Sequence, residues 1–183
     1  TGEEQGLIDL ERLSYALHRL PFELKQPQSS STVPEIGRPD APEIRVPAGG
    51  ATLGSPRDGR FGWDNEFEAH AVDVPAFTIG ALKVTHGEFL GFVSDGGYER
   101  AELWDAAGWE WVRKSGIRHP EFWRPDGSQW RFRGMFEERA LPEDEPVWVS
   151  HAEAEAYARW KGMRLPTEAE WHRAAFAEPA GRE

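Results

Sequence analysis

Leucines recur at three- and four-residue steps near the start of the chain and predict an amphipathic helix over residues 3–20. The residues are Leu7, Leu10, Leu13, Leu17 and Leu20. A helix with 3.6 residues per turn places them on one broad face, and Pro21 ends the pattern. A single helix cannot bury such a face, so we expect the leucines to pack on another part of this chain or on another chain.

Residues 26–43 are rich in Pro and Ser and show no apolar period. This composition is typical of a linker or an extended surface segment. We therefore predict three parts, which are a terminal helix within residues 1–25, a linker over 26–43, and a domain over 44–183.

Short apolar segments interrupted by Gly and Pro predict strands beyond the linker. They cover residues 44–46, 51–54, 71–74, 76–79 and 129–133. The first two strands flank a predicted turn at Gly49 and Gly50. Helices are predicted over 86–94, 99–115 (one or two), 150–161 and 168–176. Short strands, short helices and long connections indicate an α+β fold with a high loop fraction rather than a βαβ series.

Three of these helices begin with the same local pattern, a hydroxyl residue followed three positions later by glutamate. The pairs are Thr85 with Glu88, Ser150 with Glu153, and Thr167 with Glu170. The hydroxyl caps an N–H of the first turn while the carboxylate reaches back to the capping residue. The pattern fixes where each helix starts but indicates no reaction.

Charge and composition exclude several classes of partner. The formal net charge of −11 repels phosphate backbones and anionic lipids, so we expect neither nucleic acid nor membrane binding. With no cysteine, the chain forms no disulfide or thiolate metal site. We find no signal peptide and no apolar run near 18 residues, and we expect a cytoplasmic protein.

The chain is rich in aromatic residues, with nine Trp and ten Phe. Such residues suit an irregular core or a ligand groove, because they combine a large apolar area with specific ring geometry. Four tryptophans separate the two interpretations, which are Trp104, Trp109, Trp123 and Trp130. Burial makes them core, whereas exposure on one face makes them a binding surface.

Several ordered motifs resemble the formylglycine-generating-enzyme (sulfatase-modifying-factor) superfamily. They are PAGGATLG at 47–54, VTHGEF at 84–89, PVWVS at 146–150 and RLPTEAEW at 164–171. The resemblance implies a loop-rich, C-type-lectin-related domain. It also implies that the domain continues past Glu183, so that its C-terminal part is absent from this chain.

Within that superfamily, FGWDNE at 61–66 is similar to the ergothioneine-type sulfoxide synthases. Those are Fe(II)- and oxygen-dependent oxidoreductases that form a C–S bond between a small-molecule thiol and a histidine derivative. The first 25 residues resemble the last helix of the DinB-like bundle that such enzymes carry.

The same resemblance implies two histidine iron ligands and a glutamate on that helix. Counting back from Leu20 places these positions on Gln5, Asp9 and Glu11. An amide is a poor ligand for Fe(II), which prefers neutral imidazole. We therefore expect no cofactor in this chain, although the family implies Fe(II), and we expect the chain by itself to be inactive.

The candidate substrate-binding residues are Trp63, Asp64, Asn65 and Glu66, the densest polar cluster beside an aromatic ring. The alternative is structural, since Asp and Asn side chains also hold tight turns while a Trp packs. No catalytic residue is assigned.

Two other functions stay open at this point. One is a non-catalytic ligand- or protein-binding module of lectin-like fold. The other is a chain completed by a second polypeptide or by self-association, because half a domain leaves strand edges that seek partners.

Overall fold

The computed structural model describes residues 2–26 and 42–176 of the 183. These residues form two compact units, one combining 2–26 with 84–163 and the other combining 42–83 with 164–176. Nearly all of the predicted linker over 26–43 lies outside the described residues, as does everything after 176.

Five α-helices and seven strands are described, joined by short 3-10 turns. The helices are α1 (Gly2–Arg19), α2 (His86–Ser94), α3 (Ala106–Ser115), α4 (His151–Trp160) and α5 (Glu168–Phe176). The strands are β1 (Glu43–Val46), β2 (Gly49–Leu53), β3 (His70–Val74), β4 (Phe77–Gly80), β5 (Trp123–Asp126), β6 (Gln129–Arg133) and β7 (Glu138–Ala140). The predicted mixture of helices and short strands is confirmed.

All three predicted helix caps are present. Thr85 and Ser150 accept hydrogen bonds from the N–H of Glu88 and Glu153, and each glutamate accepts from the capping residue's own N–H. In the same way, the N–H of Glu170 donates to Thr167 at the start of α5. The local rule therefore set these three helix starts correctly.

The predicted glycine turn is wrong, because Gly49 and Gly50 are the first residues of β2. β1 and β2 also do not pair with each other. β1 pairs antiparallel with β4, and β2 pairs antiparallel with β3. Two separate two-stranded ladders result, and α5 lies against β2 and β3.

Arg173 of α5 explains why glycine stands at the start of β2. Its guanidinium donates to the carbonyl oxygens of Pro47 (2.9 Å), Ala48 (3.2 Å) and Gly50 (2.9 Å). A Cβ added to Gly49 would lie 2.3 Å from a guanidinium nitrogen of Arg173. Glycine therefore serves a tertiary contact there rather than a turn.

The core of the first unit is a cluster of buried aromatic side chains on α2, α4 and the turns between them, extended by Trp123 of β5. Trp104 and Trp123 are buried, and Trp109 and Trp130 are half-buried. None of the four is exposed, and all belong to the core or pack against it, so they do not form a binding surface. Both buried indole N–H groups have acceptors, the Gly97 carbonyl for Trp104 and His86 Nδ1 for Trp123, each at 2.9 Å.

Helix α1 belongs to the first unit but leaves most of its leucines uncovered. Leu7, Leu10 and Leu13 are 66%, 60% and 68% exposed. We call these three residues the leucine stripe. No helix among the described residues combines the length and apolar character needed to cross a bilayer.

Candidate functional site

A cleft of about 710 Å³ opens in the first unit. Its walls come from the C-terminal half of α1, the end of α3 with the loop that follows, and the segment that leads into α4. This volume lies within the range of small-molecule sites, roughly 300–1,000 Å³. The cleft is therefore the candidate ligand-binding site of the first unit.

The α1 wall is fixed by a reciprocal joint between His18 and Arg133. His18 Nε2 donates to the carbonyl oxygen of Arg133 at 2.8 Å, and the Arg133 guanidinium donates to the carbonyls of His18 and Leu20. Lys25 also donates to the His18 carbonyl at 3.0 Å. Carbonyls at a helix end have no partner within the helix, so these bonds both satisfy them and fasten α1 to β6.

Aromatic rings lead from the buried interior to the cleft. The His18 ring stacks on Phe122 at 4.1 Å, and Phe122 stacks on Trp148 at 4.9 Å, with planes within 8° of parallel. Tyr15 meets Trp148 edge-on at 5.7 Å. Phe122 is buried, whereas Tyr15, Trp111 and Trp148 are exposed. The cleft thus presents three exposed aromatic side chains.

Glu153 contributes a buried carboxylate to the same cleft. Its side chain accepts from the Ser150 N–H (2.7 Å) and hydroxyl (2.8 Å) on Oε2 and from the Tyr98 hydroxyl on Oε1. Burial, and secondarily the charge of Glu153, raise the pKa of Tyr98 well above its ordinary value, so that Tyr98 remains a donor. These bonds offset the cost of burying the charge.

Arg118 is exposed and supplies a positive charge at the cleft. Within residues 2–26 and 42–176 no carboxylate lies within ion-pair distance of it. Glu121, which also lines the cleft, is already paired with Arg19 at 2.9 Å. Among the described residues, Arg118 is therefore a cation without an ion-pair partner.

The predicted substrate-binding residues lie together on one turn of the second unit. The Trp63 N–H donates to Glu66 Oε2 at 2.9 Å, and the Asn65 N–H donates to Asp64 Oδ1 at 3.1 Å. Trp63 is exposed and meets Phe61 edge-on. Carboxylate-to-backbone bonds of the kind that hold a tight turn are present, and a substrate contact by these residues stays a prediction.

The positions that the resemblance assigns to iron do not form a metal site. Gln5 Nε2 donates to Asp9 Oδ1 at 3.1 Å on the exposed surface of α1, and Glu11 is also exposed. An amide bound to a carboxylate is a poor donor set for Fe(II), so the residues do not fit the metal. Across the part of the chain that the structure describes, no three His, Asp or Glu side chains are grouped to hold one.

The cleft is not evident from the sequence. Spacing identifies Glu153 only as a capping residue and indicates no role for Tyr15, Arg118 or Trp148. The only local signal is that Glu153 follows Trp148 closely in the chain. Nothing in the sequence connects these two residues with position 15 or 118.

Comparison with known proteins identifies the family. Residues 29–183 match the family model of the sulfatase-modifying factor enzyme 1-like domain, and the chain belongs to that family. Formylglycine-generating enzymes are among its relatives, and the enzyme of Bos taurus is 35% identical over 86% of this chain and 45% of its own length.

Hercynine oxygenases are more similar still. Those of Mycolicibacterium thermoresistibile and Mycobacterium tuberculosis are each 49% identical, over 67% and 64% of this chain respectively. The chain spans 27% of the length of each of these two proteins. The predicted similarity to the ergothioneine-type members of the superfamily is thereby confirmed.

Proposed function

We propose that this chain is part of a sulfoxide-synthase-like protein that joins a thiol to a histidine derivative such as hercynine. The observation that carries the proposal is the 49% identity to hercynine oxygenases, against 35% and 31% for formylglycine-generating enzymes of Bos taurus and Streptomyces coelicolor. The resemblance to ergothioneine-type enzymes adds Fe(II) as the cofactor and oxygen as the co-substrate of the whole protein.

The proposal includes the arrangement of the parts. Residues 44–183 are a lectin-related domain, residues 26–43 a linker, and residues 1–25 the last helix of a DinB-like bundle. The exposed leucine stripe supports the third assignment, because neighbouring helices would bury it. The joint between His18 and Arg133 supports a fixed position for that helix.

Catalysis by the chain alone is not part of the proposal. Gln5 donates a hydrogen bond to Asp9 at the positions where the resemblance implies imidazoles, so these positions of α1 offer iron no imidazole ligand. The chain's own contribution is binding, and Trp63, Asp64, Asn65 and Glu66 are proposed to contact substrate beside their structural role.

Ligand-dependent thermal unfolding tests the proposal. Hercynine, histidine, γ-glutamylcysteine and cysteine are added to the purified chain, and a ligand that binds only the folded state raises Tm by mass action. Hercynine or a thiol should raise Tm at millimolar concentration, and failure of all four would contradict the function.

A second arm tests the iron assignment. Iron content is measured after anaerobic incubation with Fe(II), and product is sought by mass spectrometry after oxygen, hercynine and thiol are supplied. We expect substoichiometric iron and no sulfoxide product. Stoichiometric iron with turnover would contradict the conclusion that α1 does not hold iron, and it would support sulfoxide synthesis as the function.

The alternative function is a non-catalytic binding module. The exposed side chains of Trp111 and Trp148 in the cleft favour it, whereas Trp104 and Trp123 are buried in the core and cannot contribute to such a surface. A module of this kind would bind ligands unrelated to thiols and histidine derivatives and would leave Tm unchanged in the four-ligand test.

A further inference from the structure

We infer that the cleft of the first unit binds a small carboxylate that carries a flat, nitrogen-containing ring. Its residues in that role are Tyr15, Trp111, Arg118, Trp148 and Glu153. The inference rests on the proposed function in one respect only, which is that a histidine derivative is a member of this chemical class.

The ring is inferred from the aromatic walls. Trp148 is 52% exposed although its ring belongs to a stack with Phe122 and His18, and Tyr15 and Trp111 are exposed on the same cleft. Exposed aromatic faces around a concave site favour a flat ligand, because offset stacking and edge contacts add to the burial of apolar area. The fixed end of α1 holds Tyr15 and the stack in place before a ligand arrives.

The carboxylate is inferred from Arg118. A guanidinium without a carboxylate partner within the described residues presents a planar fork of donors, which a ligand carboxylate accepts in bidentate fashion. A phosphate offers similar oxygens, but its second charge is disfavoured by Glu121 and Glu153 in the same cleft and by a net charge of −11.

The ring nitrogen is inferred from Glu153, which is 4% exposed and yet lines the cleft. Among the described residues, the N–H and the hydroxyl of Ser150 donate to Oε2 of Glu153, and the Tyr98 hydroxyl donates to Oε1. A carboxylate has about four acceptor positions, so one is left for an N–H of the ligand. A ring N–H at Glu153 and a carboxylate at Arg118 would orient the ligand along the cleft.

Calorimetric titration with imidazolepropionate tests the inference, since this probe has the ring and the carboxylate but no amine. Histamine keeps the ring without the carboxylate, and inorganic phosphate supplies an anion without the ring. We expect imidazolepropionate to bind at least about tenfold more tightly than either. Equal binding of phosphate, or no binding of imidazolepropionate at millimolar concentration, would overturn the inference.

Matched variants locate the site. Arg118→Gln should weaken imidazolepropionate by about tenfold or more, Arg118→Lys should recover part of the loss, and Arg113→Gln on an exposed position of α3 should leave affinity within about twofold. Trp148→Leu should weaken binding too, but it also removes a ring from the stack with Phe122. Replacement of the exposed Arg118 leaves that stack intact and is therefore the cleaner test. Unchanged affinity in Arg118→Gln would refute the site.

The test separates this inference from the proposed function. If hercynine raises Tm equally in the unmodified chain and in Arg118→Gln, the function stands and the cleft is not its site. If imidazolepropionate binds through Arg118 while hercynine and the thiols do not bind, the cleft stands and the proposed function fails.

Discussion

His86 shows how a single buried side chain couples stability to pH. It opens α2, is almost fully buried, and accepts a hydrogen bond from the Trp123 indole at Nδ1. Burial lowers the pKa of His86 to about 4, with the charge of Glu145 opposing the shift and that of Arg139 adding to it. The ring is therefore neutral in the folded protein at neutral pH.

The first prediction follows from this lowered pKa. Between pH 6.5 and 4 the unfolded chain binds a proton at His86 that the folded chain does not, so the free energy of unfolding falls as pH falls, by up to about 3 kcal/mol. The contribution is complete above pH 6.5. Urea denaturation from pH 4.5 to 7.5 measures how the free energy of unfolding depends on pH. His86→Gln should flatten this dependence, whereas His70→Gln, at an exposed position, should leave it unchanged. An unaltered slope in His86→Gln would contradict the assignment.

Gly49 gives a second prediction at the same scale. A Cβ there would collide with the Arg173 guanidinium, whereas at Gly50 nothing lies within 4 Å. Gly49→Ala should lower the free energy of unfolding by about 1–3 kcal/mol, because Arg173 must give up bonds to three carbonyls. Gly50→Ala is the matched control. Equal losses in the two variants, measured by chemical denaturation, would show that strand propensity rather than the contact matters.

At the scale of elements, α5 depends on the carboxylate of Glu170. Its Oε2 accepts from one terminal nitrogen of the Arg164 guanidinium (2.7 Å) and from the Thr167 N–H (2.8 Å), and its Oε1 accepts from the other terminal nitrogen of Arg164 (2.5 Å). The Arg164 bonds, followed by that from Thr167, lower the pKa of Glu170 to about 2. Its contribution is therefore full above pH 4.5 and is lost as pH falls toward 2.

The third prediction concerns this cap. Glu170→Gln should destabilise the folded state at pH 7 by about 1–2 kcal/mol, because charge-assisted bonds become neutral ones. Glu168→Gln, exposed in the same turn, should change it by less than about 0.5 kcal/mol. Denaturation at pH 7 and at pH 3 compares them, and the difference between the variants should shrink at the lower pH. A difference that is independent of pH would argue against the ion pair.

The last turn of α1 supports a fourth prediction. Arg133→Lys removes the fork that reaches the carbonyls of His18 and Leu20. Hydrogen exchange of amides in residues 16–20 should then accelerate by about tenfold or more, while amides of α4 keep their protection. Arg131→Lys, on the same strand and more exposed, is the control. Unchanged protection of α1 would mean that the stacked rings and the bonds made by His18 and Lys25 hold it without the Arg133 guanidinium.

At the scale of the whole molecule, sequence reasoning succeeded where the cause is local and failed where it is not. Helix starts at Thr85, Ser150 and Thr167 follow from spacing of three residues, and all were predicted. The partners of β1 and β2 were not, because each strand pairs with one further along the chain rather than with its neighbour, and no local spacing indicates which one. The cleft was missed because positions 15, 118 and 148 meet only in the folded unit.

The leucine stripe carries the fifth prediction. Three leucines exposed on one helix face form an apolar surface that favours association. The chain should sediment as a concentration-dependent oligomer, and joint replacement of Leu7, Leu10 and Leu13 by Glu should yield a monomer. Replacement of the exposed Leu82, outside α1, should leave association unchanged. If the unmodified chain stays monomeric at every concentration up to its solubility limit, self-association through the leucine stripe is excluded.

The contact between Arg173 and residues 47–50 also has a consequence for how the protein is made. The second unit is discontinuous, since residues 84–163 of the first unit are translated between its strands and α5. At roughly 5–20 residues per second, β1 to β4 emerge from the ribosome seconds before the helix that covers β2 and β3. Until α5 emerges, the face of the β2–β3 ladder that it covers is exposed, so we expect this ladder to reach its final packing only late in synthesis.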